Sequence, residues 1–133
     1  GADMDSRNTK RTKLNRCIGK AANSRGEIAE NRVEALLSEL DESWPIWVFS
    51  GRKATRGEDK SGKDFIFVTD VGKLFIQIKS SIAGVRKFKM MSSPRKMIEP
   101  VIVTADIERA EVRSRLIDAL YLLRARVFER RGR

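Results

Sequence analysis

The stretch Asp64-Phe-Ile-Phe-Val-Thr-Asp-Val-Gly-Lys-Leu-Phe-Ile-Gln-Ile-Lys79 decides both the fold and the chemistry that we predict for this chain. It contains two runs of β-branched and aromatic residues around a short turn, which is the pattern of a β-hairpin. Three polar side chains, those of Asp64, Gln77 and Lys79, stand among residues that a sheet would bury. The hairpin is therefore where we expect a functional site.

The register of this hairpin determines whether its polar groups meet. Side chains alternate between the two faces of a strand, so Gln77 and Lys79 share one face. A two-residue turn at Val71-Gly72 predicts Asp64 opposite Lys79 and diagonal to Gln77, which gathers the three groups on one face. A slip by one residue would move Asp64 to the other face and separate them.

Composition restricts the chemistry that such a cluster could perform. The chain has 133 residues, the size of one domain, and a net charge of +10. A surplus this large favours a polyanionic partner, usually nucleic acid, although a solubility device is the alternative. The chain contains no histidine, which excludes a histidine general base and histidine-ligated zinc. Hydrolysis would then rely on carboxylates, amides, lysine and an oxygen-preferring metal ion.

Several compositional features bear on where the protein works. No apolar run approaches the roughly 20 residues of a membrane span, so we expect no membrane partner. The N-terminal residues are polar and charged, without the apolar segment of a secretory signal. The single cysteine, Cys17, excludes an internal disulfide and fits a reducing compartment. These features predict a cytoplasmic protein.

The first half of the chain is predicted to contain a basic arm and an amphipathic helix. We interpret residues 1–22 as a basic arm or short helix, and residues 23–133 as a single domain. Ser24 and Glu27 form a capping-box pattern that opens a helix. Its predicted buried face is Ala29, Val33, Leu36, Leu37 and Leu40. Glu30 lies at the edge of this face, where it either completes a site or complements the helix dipole in solvent.

The remaining elements follow from turn residues and periodicity. Residues 46–49 and 100–104 read as short strands, residues 51–63 as a charged loop, and residues 80–96 as an edge strand or a nucleic-acid groove. Asp106 is the predicted N-cap of a long final helix, with the core face Val112, Leu116, Ala119, Leu120, Leu123 and Val127. The predicted fold class is α/β (α+β), with a central mixed β-sheet of four to five strands flanked by helices.

Basic residues around the hairpin are the predicted nucleic-acid contacts. They precede Asp64 in the charged loop or follow the hairpin, where they alternate with apolar side chains; loops of this kind either contact phosphate or are simply solvated. The predicted contacts are Arg52, Lys53, Arg56, Lys60, Lys63, Arg86, Lys87 and Lys89.

Three motifs carry a resemblance to a known family. Gly26-x-x-x-Glu30, Ser61-Gly-Lys-Asp64 and Phe75-Ile-Gln77-Ile-Lys79-Ser resemble the PD-(D/E)xK nuclease superfamily, which includes restriction endonucleases, Holliday-junction resolvases and transposition endonuclease subunits. The resemblance extends over residues 24–105 and implies a restriction-endonuclease-like fold. It implies Asp64 as the central metal ligand, Lys79 as the catalytic lysine, and Mg²⁺ or Mn²⁺ as the cofactor. It further implies Gln77 in the position of the usual second acid and Glu30 as a helix-borne acid.

Two departures from the family pattern bear on activity. Lys63 stands where a proline often precedes the aspartate, and Gln77 is an amide where a carboxylate is usual. An amide removes one negative charge, which weakens the expected affinity for a divalent cation. The alternative is therefore a member of the same family that binds nucleic acid without cutting it.

The sequence thus predicts a metal-dependent endonuclease acting on DNA, including branched or structured DNA. The alternatives are a nucleic-acid-binding module of the same fold and a ribonuclease or toxin-like member, since phosphodiester chemistry is common to DNA and RNA. We expect a homodimer, as in many relatives that cut both strands. No separate target-recognition domain is visible, which favours targeting by the shape of the nucleic acid or by a partner protein.

Overall fold

Four helices and four strands make up the part of the chain that the computed structural model describes, residues 25–38, 40–59, 62–92 and 97–132. The strands are β1 (Val48–Lys53), β2 (Phe65–Thr69), β3 (Gly72–Lys79) and β4 (Ile98–Ile102). The helices are α1 (residues 25–37), α2 (Arg56–Asp59), α3 (Ile82–Met91) and α4 (Arg109–Arg131). The strands form one sheet in the order β1-β2-β3-β4, antiparallel except for the parallel pair β3 and β4. The predicted α/β class with a mixed sheet is confirmed.

Some predictions concern residues outside this description. The basic arm at residues 1–22, the helix cap at Ser24 and the predicted phosphate contact at Lys60 lie outside the described residues. Among the helices of the described ranges, none is both long and apolar enough to cross a membrane.

The core lies on one face of the sheet, under α1 and α4. Both helices bury the stripes that their periodicity predicts, because residues three and four apart share a helix face. The buried stripes are Ala29, Val33 and Leu36 of α1, and Val112, Leu116, Ala119, Leu120 and Leu123 of α4. They pack with Leu74, Ile76 and Ile78 of β3, while Leu37, Leu40 and Val127 are partly buried at the edge of this core.

The opposite side of β3 and β4 is contacted by α3, where the prediction of an edge strand is wrong. Ser81 begins this helix as its N-cap, and its hydroxyl accepts a hydrogen bond from Gly84 N at 3.1 Å. The Lys79 ammonium lies 5.7 Å from the ring centroid of Phe88, which places α3 over the face that carries Lys79. The sequence of α3 lacks the clear apolar stripe of α1 and α4. In agreement with this, no side chain of α3 is fully buried.

Element boundaries differ from the predicted ones at four places. Strand β1 begins at Val48 and continues into the predicted loop, and the loop also contains α2. Residues 46 and 49 are exposed, and a register irregularity separates Val48 from Ser50. Strand β4 begins and ends two residues earlier than predicted. Glu108, not Asp106, is the N-cap of α4, because the Asp106 carboxylate instead accepts a hydrogen bond from the Thr104 hydroxyl.

The predicted hairpin register is wrong by two residues. Ile66 lies opposite Phe75, and Thr69 lies opposite Gly72. The turn closes there because the Thr69 hydroxyl donates to the Gly72 carbonyl at 2.7 Å, and Gly72 adopts a φ of 103° that favours glycine. A shift of two preserves the faces, since side chains alternate with a period of two. Gln77 and Lys79 therefore still share a face with Ile66.

Replacement of Gly51 by alanine is expected to destabilise the fold by about 1–3 kcal/mol, the usual cost of overpacking a core. A β-carbon at residue 51 would lie 2.9 Å from Phe67 Cε1 and 3.0 Å from Leu37 Cδ2, where α1 packs on β1 and β2. Urea unfolding of the variant measures the loss. Gly57→Ala is the control, because a β-carbon there meets no atom within 4 Å; equal unfolding midpoints for the two variants would contradict the prediction.

Candidate active site

Asp64 lies at the end of the sheet where β1 and β3 finish and β2 begins. Its backbone is held from both sides: Asp64 N donates to Ile76 O at 2.9 Å, and Asp64 O accepts from Ala54 N at 2.8 Å. The residue immediately precedes β2, so it does not belong to the strand that was predicted to contain it. Its position is therefore determined by the two neighbouring strands.

The Asp64 side chain, rather than a backbone carbonyl, accepts a hydrogen bond from the backbone of β3. Its Oδ2 accepts a hydrogen bond from Ile78 N at 2.7 Å, and the residue is only 6% exposed. The donating peptide group directly follows Gln77. The Asp64 carboxylate is consequently buried beside the backbone of residue 77, next to the strand that carries the Gln-x-Lys motif.

Two further acids lie near this buried carboxylate. They are Asp59, the last residue of α2, and Glu30 of α1, and both disfavour ionisation of Asp64. Burial first, then these two acids, raise the pKa of Asp64 to about 7, although the hydrogen bond from Ile78 N works against the rise. Raised pKa values of this origin are typical of functional sites, and a bound cation would relieve the repulsion.

The Gln77 side chain supplies an unsatisfied acceptor. Its amide oxygen Oε1 is buried and has no hydrogen-bond partner within the described ranges. Leaving a buried acceptor without a partner costs about 1–3 kcal/mol. Amide oxygens are neutral hard donors that Mg²⁺ and Ca²⁺ accept as ligands. Gln77 therefore fits the metal-ligand role that the resemblance implies.

Glu30 lies near Asp64 but is also paired with a base. Its Oε2 is 3.4 Å from Lys53 Nζ, at the last residue of β1. A cation at Asp64 would compete with Lys53 for the Glu30 carboxylate. Glu30, the predicted helix-borne acid, thus helps to raise the pKa of Asp64. In the free protein it forms an ion pair with Lys53.

Lys79 lies on the same sheet face as Gln77 and reaches toward α3. Its ammonium lies over the Phe88 ring, a contact typical of a cation with an aromatic face. No ion pair joins it to an acid among the residues that the structure describes. In the described part of the chain, its charge is met by an aromatic face rather than by a carboxylate.

Within the described ranges, the carboxylates do not form a closed metal site. Among the described residues, no group of three or more histidine, cysteine, aspartate or glutamate side chains could hold a metal ion. Mg²⁺ commonly needs only one or two carboxylates, because it keeps several waters and takes further ligands from substrate phosphates. The Asp64 carboxylate and the Gln77 amide oxygen are donors of the type that such an ion accepts.

The predicted phosphate contacts divide into bases that pair with an acid, bases that lie over a ring, and bases that are exposed. Arg52 makes two hydrogen bonds to the Glu58 carboxylate, at 2.8 and 2.9 Å, and Lys53 pairs with Glu30. Lys63 Nζ lies 4.1 Å from the Phe75 ring centroid. Three others, Arg56, Arg86 and Lys87, are exposed.

Lys89 lies at a different place from the hairpin end. It lines a groove between α3, β4 and α4 together with Phe88, Ile98, Glu99, Arg126 and Arg130. The structure therefore does not bring all the predicted bases around Asp64.

Asp59 is the acid that sequence reasoning missed. A signal for it was present in Thr55-x-x-Glu58, a capping-box pattern that predicts a helix inside the supposed loop. Thr55 N donates to Glu58 Oε1 at 2.9 Å, and Glu58 N donates to Thr55 Oγ1 at 3.4 Å. This short helix ends at Asp59, one of the acids that raise the pKa of Asp64.

Five side chains define what we call the Asp64 site: Glu30, Asp59, Asp64, Gln77 and Lys79. Four come from the predicted set, and Asp59 is new. Comparisons with protein-family models, with curated proteins and with solved structures gave no match to this chain.

Proposed function

We propose that this chain is a divalent-metal-dependent endonuclease of the PD-(D/E)xK type that hydrolyses phosphodiester bonds in DNA. The observation that carries the proposal is the buried Asp64 carboxylate, which accepts a hydrogen bond from the peptide group that follows Gln77 and whose pKa is raised by burial and by the acids Asp59 and Glu30. Repulsion among these acids destabilises the folded protein, and a cation would remove it. Such a local excess of negative charge contrasts with the chain's net charge of +10.

The donor types support the choice of metal. Asp64, the Gln77 amide oxygen and Glu30 would hold Mg²⁺ or Mn²⁺, both of which favour oxygen ligands. When bound, the ion would polarise a phosphoryl oxygen and make a nearby water more acidic. Lys79 would contribute a fixed positive charge that stabilises the negative charge developing on phosphorus.

The surrounding charges support a polyanionic substrate. Exposed bases such as Arg56, Arg86 and Lys87 would neutralise phosphates, and binding would weaken as salt increases. Arg52 and Lys53 are held by Glu58 and Glu30 in the free protein. A phosphate that takes Lys53 would free Glu30 for a cation at Asp64, so substrate and metal would favour each other.

A second candidate function is nucleic-acid binding without cleavage. Two observations favour it: the amide at Gln77, and the absence of a three-acid metal group from the described ranges. In that case the Glu30–Lys53 ion pair is structural. The bases would then act alone, as sequence-independent phosphate contacts.

Cleavage assays separate these functions. Plasmid, linear duplex, four-way junction and tRNA would each be incubated with the protein in Mg²⁺, Mn²⁺ or EDTA. We expect DNA to be cut with either metal and to stay intact in EDTA. Faster cutting of the junction would indicate structured DNA, and cutting of tRNA alone would indicate a ribonuclease. Salt-sensitive binding without cleavage in any metal would contradict the endonuclease and support the binding module.

The number of strands cut also bears on assembly. One Asp64 site attacks one strand, so cutting both strands at one place requires two copies, which a two-fold dimer supplies. We propose such a homodimer, with targeting aided by a partner protein. Sedimentation with and without DNA measures the oligomeric state, and nicks without double-strand breaks would contradict the dimer.

A further inference from the structure

An aromatic cluster lies where α4 meets the turn between β2 and β3. Tyr121, Arg124 and Phe128 are three and four residues apart on α4, so they share one face of the helix. The Tyr121 ring meets the Trp47 ring edge to face, with centroids 5.1 Å apart and planes at 82°. The Arg124 guanidinium carbon lies 4.8 Å from the ring centroids of both Trp47 and Phe128. We call these four residues the Trp47 cluster.

Polar contacts hold the cluster against the end of the sheet. The Asp70 carboxylate accepts two hydrogen bonds from the Arg124 guanidinium, at 3.0 and 2.6 Å, and such a double contact fixes direction as well as distance. Two turns further along α4, Arg131 donates to Val71 O at 3.2 Å. Arg124 is therefore fixed in place, and the rings that pack on it lose little further freedom when a ligand binds.

Two rings of the cluster remain half in solvent. Trp47 packs against the core, but Tyr121 is 52% and Phe128 49% exposed. An aromatic side chain that stays half exposed gives up much of the stabilisation that its burial would provide. Groups of exposed apolar side chains mark binding surfaces more often than isolated ones do. The cluster thus holds its rings firmly and leaves part of each one open to a ligand.

The charges around the rings indicate a polyanionic ligand. Arg131 is exposed in the last turn of α4, and its bond to a backbone carbonyl does not neutralise its charge. Asp70 is already paired with Arg124, and Glu129, which follows Phe128, lines the groove beside β4. Aromatic rings beside cations suit single-stranded nucleic acid, because unpaired bases stack on the rings while phosphates contact the cations. A duplex offers phosphates but keeps its bases stacked inside.

We propose that the Trp47 cluster binds unpaired bases of single-stranded nucleic acid, with Tyr121 and Phe128 as the stacking rings and Arg131 as a phosphate contact. The inference rests on the nucleic-acid binding in the proposed function and deepens it, because it makes an unpaired segment part of the substrate. Stacking of this kind tolerates any base, since every base has an aromatic face.

This surface is separate from the Asp64 site. Asp64 immediately precedes β2 and Asp70 immediately follows it, so the two residues are roughly 20 Å apart at 3.3 Å per residue. A nucleic acid that contacts both places would span that distance, which is about six base pairs of duplex at 3.4 Å each. Branched or flapped DNA has this form, because it joins a duplex to unpaired bases. The cluster therefore favours structured DNA over a continuous duplex.

The test compares single-strand and duplex binding by the full chain in EDTA, where no divalent metal supports cleavage. Fluorescence anisotropy would measure the Kd for a labelled oligothymidine and for a duplex of equal length. We expect Tyr121→Ala and Phe128→Ala each to raise the single-strand Kd roughly 5–100-fold, the range for loss of one stacked base. The duplex Kd should change less than about twofold, because a duplex presents no base face to the rings.

Leu122→Ala is the matched control. Leu122 is 43% exposed on the same helix but lines the groove beside β4, so its loss should leave both Kd values unchanged. Phe128→Tyr keeps the ring and should retain single-strand binding, and thermal melting checks that every variant is folded. Arg131→Met should lower the slope of log Kd against log salt by roughly 0.7, the loss of one phosphate contact, whereas Phe128→Ala should leave that slope unchanged.

Unchanged single-strand affinity in both alanine variants would overturn the inference, and metal-dependent cleavage that requires Asp64 would still leave the proposed function standing. Equal weakening of single-strand and duplex binding would also overturn it, because the rings would then act only through the fold. If Phe128→Ala breaks up a dimer in sedimentation and leaves the single-strand Kd unaltered, the cluster is a contact between protein chains. A chain that binds no nucleic acid would overturn this inference and the proposed function together.

Discussion

Asp64→Asn is expected to abolish cleavage and, at the same time, to stabilise the fold above neutral pH. Asparagine keeps an oxygen that can accept from Ile78 N, so the sheet contact survives. It removes the charge that would hold a cation, and we expect cleavage to fall roughly 10³-fold or more, since metal ions supply several kcal/mol of charge stabilisation.

The stability gain follows from the pKa of Asp64. Because this pKa is raised to about 7 in the folded protein, the stability that Asp64 contributes is fully present below about pH 4. It is lost as the pH rises through about 7, where a buried acid must ionise. The cost at pH 8 is roughly 4 kcal/mol, because the pKa rises from 3.8 to about 7 and each pKa unit corresponds to 1.36 kcal/mol. Asp64→Asn removes this cost, so its advantage should be large at pH 8 and small at pH 4.

Urea unfolding at both pH values, in EDTA, measures this effect. Asp70→Asn is a control of opposite sign, because Arg124 holds the pKa of Asp70 below its usual value through two hydrogen bonds at 3.0 and 2.6 Å. The ionised Asp70 therefore stabilises the fold above its ordinary pKa, and this contribution is lost in acid. Asp70→Asn removes the contribution, so the free energy of unfolding of this variant should be lower at pH 8. An Asp64→Asn variant that loses stability at pH 8, or that still cuts DNA, would contradict the assignment.

Lys79→Met is expected to lower the cleavage rate about 10²–10³-fold, the usual cost of losing one group that stabilises transition-state charge. Methionine keeps an unbranched apolar chain beside Phe88, so the fold should be retained. Nucleic-acid binding should change little, because many other bases contribute to it. Single-turnover cleavage and a salt titration of binding measure the two effects separately.

Lys73→Met is the matched control on the same strand. Lys73 and Lys79 share one face of β3, since they are an even number of residues apart. Lys73 is exposed at the far end of the strand, roughly 20 Å away at 3.3 Å per residue. Both variants lower the net charge equally. If both slowed cleavage to the same extent, Lys79 would act only through general electrostatics.

Local patterns predicted some elements well and others poorly. The buried stripes of α1 and α4 were predicted because an apolar period of three to four residues is a property of the helix itself. The helix α3 was missed because its basic and apolar residues fit an edge strand equally well, and it buries no side chain fully. The hairpin register was wrong because it depends on the Thr69 hydroxyl at the turn, yet the face assignment survived a shift of two.

The amino-acid sequence by itself determined the class of fold, the face shared by Gln77 and Lys79, and the absence of any histidine chemistry. These depend on composition and on the period of side chains along one element. Only the tertiary structure decided the surroundings of Asp64, because Glu30, Asp59 and Ile78 N come from three separate elements. Burial and the two acids raise the pKa of the carboxylate while the hydrogen bond from Ile78 N opposes the rise, and such effects depend on distances in space that no local pattern encodes.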